Sequence, residues 1–138
     1  MKSHNKPYTE LDVWKETRIL VKEVYLITKN FPKEEQYGII NQIQRSAISI
    51  PSNVAEGCGR NSPKDSLQFF YIARSSLYEL ETQLILSFDL LYLNQEQLNQ
   101  SLHLIEKCKK LLNGFIRYYR SFLDSSRNLD DQRITNNE

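Results

Sequence analysis

Glycine and proline are scarce in this chain, four of each in 138 residues. With so little punctuation, its secondary-structure elements must be long. Only two cysteines are present, Cys58 and Cys108, and they fit neither a disulfide framework nor a metal-binding spacing, so both read as reduced thiols. The two histidines, His4 and His103, stand far apart and belong to no E-x-x-H or H-E-x-x-H pattern. That gives no carboxylate–histidine metal site of the kind built inside helix bundles, and no metal or cofactor is expected. Neither cysteine has a histidine close by in sequence, and Gly57 and Gly59 lack the rest of any phosphate-binding loop, so catalysis has no support. No apolar run approaches the roughly 20 residues that span a bilayer. The opening stretch MKSHNKPYTE has no apolar core of a secretory signal, which predicts a cytoplasmic protein. A surplus of one charge is missing too. The net charge of +1 is that of neither a strongly basic nucleic-acid binder nor an acidic tail protein.

What is present is helical periodicity. Residues 1–8 are polar and expected to be loose, and a helical pattern opens near Thr9, a candidate N-cap with Asp12 three residues on. Two adjacent apolar stripes follow, Leu11, Trp14, Val21 and Tyr25 beside Val13, Leu20, Val24, Ile27 and Phe31. A helix apolar over so wide an arc touches two neighbours. Pro32 stops it, and a second helix is predicted from Lys33–Glu35 to about Gly57. Ser62 as N-cap with Pro63 at the first helical position opens a third helix. Its stripe of Leu67, Phe70, Leu77, Leu84, Phe88 and Leu91 admits Arg74 and Glu81, which must sit at its edge or pair across an interface. Asn94 and Gln97 form a capping box for a fourth helix, whose pattern fades at Asp124. Residues 124–138 read as a disordered polar tail. The domain is then 9–123, an all-α up-down-up-down four-helix bundle, with no strand pattern competing.

The second helix contains the unusual segment QIQRSAISIPSNVAEGCGR, residues 42–60. Pro51 inside it removes a backbone donor and clashes with the preceding turn, so a kink is predicted there. Arg45, Ser49, Ser52 and Glu56 recur at 3-4 spacing beside Asn53, and the third helix offers Arg74, Ser75, Glu79 and Glu81. The expectation is a structural polar seam of Arg45, Asn53, Glu56, Arg74 and Glu79 that fixes register and kink. In it, Glu56 and Glu79 accept charge-assisted bonds from Arg45, Arg74 or backbone amides. A functional pocket built on the same two carboxylates, and with it an enzyme, carries much less weight.

On the fourth helix, Lys107, Lys110 and Arg117 share one face, with Lys109 and Arg120 on the adjacent strip. These five are the candidate nucleic-acid contacts, and Tyr118 and Tyr119 could stack on unpaired bases. Against that stands the ordinary role of lysines as solvated surface and of tyrosines at this spacing as core. Trp14, Tyr25 and the Phe69-Phe70-Tyr71 run, Phe69 foremost, are candidate subunit contacts, because amphipathic aromatics favour interfaces, though each fits a core role equally well.

A resemblance adds to this reading. Leu11 to Trp14, Phe31-Pro32, Gln42 with Arg45 and Ser46, the string from Ser49 to Gly57, Arg60 with Ser62, Phe69 with Ala73, and Ser76 to Leu80 together resemble one bacterial family. It is the family of four-helix-bundle proteins first noticed as products of intervening sequences in the large-subunit ribosomal RNA gene. The similarity spans roughly residues 10 to 120, and the S-I-x-x-N-x-A-E-G pattern is specific. The resemblance implies a bundle that assembles as a homopentameric ring. It also implies kinship with the accessory protein of diversity-generating retroelements, which works beside a reverse transcriptase on nucleic acid. The expected function is a non-enzymatic, self-assembling binding or scaffold module whose partner is structured RNA or a nucleic-acid-processing protein. The alternative is a purely protein–protein assembly factor.

Overall fold

A computed structural model describes residues 6–136, with side chains through Ser125. Its four helices are α1 (Asp12–Thr28), α2 (Ile39–Cys58), α3 (Pro63–Asp89) and α4 (Gln95–Asn136), with no strand among the described residues. Consecutive helices pack on one another and α4 closes onto α1, whereas α1 does not meet α3. Contacts across α3 and α4 pair Tyr71 with Arg120, Arg74 with Asn113 and Glu81 with Lys109, so these two helices run antiparallel.

The predicted caps of α3 and α4 are both present. The Ser62 hydroxyl accepts from the Asp65 amide at 3.2 Å, with Pro63 at the first helical position. Asn94 Oδ1 accepts from the Gln97 amide at 2.8 Å, and Gln97 Oε1 accepts from the Asn94 amide at 2.9 Å. Three boundaries differ from the sequence reading. Thr9 is not a cap, because Tyr8–Glu10 forms a short 3-10 turn and α1 begins after extended Leu11. Lys33–Glu35 also makes only a 3-10 turn; Gly38, at φ −108° and ψ −117°, breaks the chain before α2 starts. There the Glu35 carboxylate reaches the Ile39 amide at 3.4 Å, placing negative charge at the helix N-terminus. Finally, α4 continues past Asp124 to Asn136, since no glycine or proline interrupts that stretch. Residues 1–5, 137 and 138 of the expected loose termini lie outside the described residues.

The core is the inward stripes of all four helices. Leu20 and Val24 of α1, Ile43, Ala47, Ile50 and Val54 of α2, Phe70, Leu77 and Leu84 of α3, and Ile105, Leu112 and Ile116 of α4 make up its centre, all at most 1% exposed. Three buried hydroxyls are satisfied within their own helices: Thr28 donates to Val24 O, Ser87 to Gln83 O and Ser101 to Gln97 O. At one end Phe70, Phe115 and Tyr119 form an aromatic cluster with centroids 4.8–4.9 Å apart. Gly57 of α2 lies directly against Phe70, leaving no room for a Cβ. α2 runs as one helix through Pro51, whose missing N–H leaves the Ala47 carbonyl without its usual donor.

Candidate functional site

The family-like residues of α2 and α3 do converge. Asn41, Gln42, Arg45, Ser46, Ser49, Ser76 and Glu79 line one open groove of about 320 Å³ between the two helices. Its floor is a hydrogen-bonded link. The Ser49 and Ser76 hydroxyls lie 2.9 Å apart, and Asn53 Nδ2 donates both to Ser49 Oγ at 2.9 Å and to its carbonyl at 2.8 Å. Polar side chains thus tie α2 to α3 within a turn of Pro51.

The charged members of the seam behave differently from the expectation. Glu56 is exposed and pairs with Arg60, one turn on, at 3.2 Å, not with Arg45 or Arg74. Its spacing fits the seam, but it falls on the solvent edge of α2, where Arg60 also lies over the Phe69 ring at 4.4 Å. Arg74 turns to α4 instead, donating to Asn113 Oδ1 at 3.3 Å and lying over Tyr71 at 5.2 Å. Glu79 accepts only from the Gln83 amide, at 3.3 Å, and the buried Gln83 Oε1 has no partner among the described residues. Arg45 and Glu79 share the groove without an ion pair between them.

The basic stripe of α4 is largely engaged within the chain. Lys107 pairs with Glu16 at 3.0 Å. Lys109, with a 12% exposed side chain, reaches Glu81 at 2.6 Å and Glu106 at 3.1 Å, and lies over Tyr78. Burial alone would lower the Lys109 pKa, but the two carboxylates outweigh it and hold the ammonium above its ordinary value. Arg120 donates to the Tyr71 hydroxyl at 2.9 Å. Only Lys110 and Arg117 of the five lack an ion-pair or hydrogen-bond partner among the described residues. Tyr119 is buried in the aromatic cluster, so of the two stacking candidates only Tyr118 faces solvent. Trp14 and Phe69 are half-buried, and Tyr25 is 36% exposed.

Sequence reasoning passed over a different basic strip. Lys15, Ile19, Lys22, Leu26 and Lys29 are all exposed along α1, with Arg18 beside them. No acidic side chain pairs with any of these four cations among the described residues. Two hollows border the strip. One, of about 290 Å³, is walled by Trp14, Val21, Ile48 and Pro51; the other lies around Ile19 between Lys15 and Lys22. The 3-4 spacing was a usable signal, but the buried stripes beside it are more apolar and dominate the pattern.

Burial pushes the Cys58 thiol up to about 11. It also pushes Cys108 up to about 12, with Glu16 adding to the rise and Lys107 opposing it. Neither is an activated nucleophile. The described residues contain no cluster of three His, Cys, Asp or Glu that could hold a metal, and no helix long and apolar enough to cross a membrane.

These features define an all-helical four-helix protein whose distinctive residues lie on helix–helix grooves and outer faces. Residues 9–114 match the 23S rRNA-intervening sequence protein family, and the chain belongs to that family. Among solved structures it is similar to a protein of unknown function from the S23 ribosomal protein family of Bacteroides thetaiotaomicron. The two are 24% identical, with a TM-score of 0.68 over 75% of this chain and 97% of that one. No curated protein matches.

Proposed function

We propose that this chain is a non-enzymatic, self-assembling scaffold of the cytoplasm, closing into a ring of identical subunits for which the family resemblance suggests five. The observation that carries the reading is the amount of apolar side chain left outside the core. Ile19, Leu26, Ile48, Ile72, Leu86 and Leu90 are each 44–54% exposed and Leu91 is 88% exposed. Ile19 with Leu26 on α1 and Ile72 with Leu86 on α3 recur at helical spacing along one outer face of each helix, and two such apolar rows are suited to protein–protein contact. The internal pairing of Lys107, Lys109 and Arg120 weighs in the same direction, because it removes most of the phosphate-binding potential first assigned to α4. Size-exclusion chromatography with light scattering tests the proposal: a defined multiple of the chain mass is expected, and a single-chain mass at every concentration would overturn it.

A second reading, structured RNA as the partner, is supported by the unpaired cations of α1 together with Lys110 and Arg117. Fluorescence anisotropy across a salt series checks it. Binding that weakens linearly in log salt supports RNA, and the slope counts the phosphates engaged. No binding at low salt leaves the protein–protein scaffold.

A further inference from the structure

Two outer faces of the bundle match each other in spacing and oppose each other in charge. Along α1 and its C-cap, Lys15, Ile19, Lys22, Leu26 and Lys29 follow one another at 3-4 intervals, all exposed. The acids of α1 do not neutralise this strip: Asp12 stands at the helix start, Glu16 is held by Lys107, and Glu23 is half-buried. On α3, Ile72, Ser75, Glu79, Thr82, Leu86 and Asp89 follow at the same intervals, again all exposed. The cation of this stretch, Arg74, is turned to Asn113 on α4, and Glu81 is held by Lys109. One face is thus apolar with unpaired positive charge between its anchors, and the other is apolar with unpaired negative charge. Helix strips with apolar residues at this spacing pack along a shared seam, and the interleaved charges select the partner.

The faces cannot meet within one chain, because α1 and α3 make no contact and sit diagonally across the bundle. We infer that the α1 strip of one copy seats on the α3 strip of the next, resting on the self-assembly proposed above and naming its contact. Such a contact is heterologous: each copy offers one face and receives on the other. Heterologous contacts generate rings when the rotation closes and open filaments when it does not. Like-with-like pairing is disfavoured, since α1 against α1 brings Lys15, Lys22 and Lys29 onto their own copies, and α3 against α3 does the same for Glu79 and Asp89. The arrangement also makes assembly sensitive to salt, because these charges are exposed.

A charge-swap cycle read by sedimentation velocity tests this. The variants are Lys15→Glu with Lys22→Glu, Glu79→Lys with Asp89→Lys, and all four together; every position is exposed, and circular dichroism verifies that each variant remains helical. The expected result is an assembled parent, single chains for each double variant alone, an alternating co-assembly of equal parts when the two are mixed, in an even number of subunits because alternation cannot close an odd ring, and recovered assembly in the fourfold variant. A fourfold variant that stays dissociated would overturn the α1-to-α3 pairing. Double variants that assemble like the parent would overturn the role of both strips while leaving self-assembly intact. A parent that sediments as a single chain would overturn both proposals. Loss of RNA binding by the α1 variant without change in its mass would reassign that strip to phosphate.

Discussion

Replacing Gly57 by alanine sets two physical effects against each other. Alanine is the better helix former, by roughly 0.5–1 kcal/mol in a helix interior, and Gly57 lies one residue from the end of α2, where that gain is smaller. Opposing it is space. A Cβ at Gly57 would sit 2.8 Å from Cδ1 of Phe70 and 2.9 Å from the Ser66 carbonyl, inside van der Waals contact. Phe70 cannot swing away, since it is fully buried and held by Phe115 and Tyr119. Forcing one extra carbon into such a site costs about 1–3 kcal/mol, so a net loss of about 1–2 kcal/mol follows. For a chain of this size that lowers Tm by roughly 4–8 °C. Gly59 supplies the control. It is exposed, its φ is −83°, and a Cβ there would meet only backbone carbonyls at 3.6 and 3.7 Å, so Gly59→Ala should leave Tm nearly unchanged. Thermal unfolding followed by circular dichroism decides. A Gly57→Ala protein as stable as the parent, or Gly59→Ala falling equally far, would refute the claim that close packing of α2 on Phe70 fixes glycine here.

Other consequences are as direct. Lys109→Met leaves Glu81 partly buried without its cation, and a loss of about 1–2 kcal/mol is expected in urea unfolding, below the full penalty of a deeply buried pair because Glu81 keeps some solvent. Since the Lys109 pKa is raised on folding, its contribution is complete below the unfolded pKa and fades as pH rises through the folded one. The parent should therefore lose stability above about pH 10, the ordinary lysine range, and the variant lose less. Glu56→Ala removes only an exposed pair one turn long, and a change within about 0.5 kcal/mol is expected; a large drop in Tm measured on dissociated chains would mean Glu56 has a further partner. Cys58 and Cys108 should react slowly with a thiol reagent at pH 8 and both at once after denaturation, because burial holds each as the neutral thiol.

How far the sequence could be read follows from the range of each interaction. Ser62-Pro63 and Asn94 with Gln97 marked their helix starts because a cap is local chemistry, complete within four residues. Thr9 misled because Pro7 favoured a 3-10 turn that used the same residues, and Gly38 was passed over because the acids before it imitate a helix start. Arg74 and Glu81 were expected either at the edge of their stripe or paired across an interface, since a charge inside an apolar stripe needs water or a partner; Asn113 and Lys109 on α4 are the partners found. Spacing along one helix, however, carries no information about which neighbour lies opposite. That is why the α4 lysines looked free, although Glu16 comes to Lys107 from α1 and Glu81 to Lys109 from α3. For the same reason Glu56 was assigned to a seam across α2 and α3, although the hydroxyl contact found between them joins Ser49 and Ser76, with Asn53 donating to Ser49.

Sedimentation of the unmodified chain over a wide range of concentration bears most directly on the account. A single assembled species that dissociates as salt is raised is the predicted result, because unpaired charges on α1 and α3 flank its apolar contacts. A boundary with the mass of one chain throughout would contradict it, and the exposed faces would then have to serve a partner of another kind.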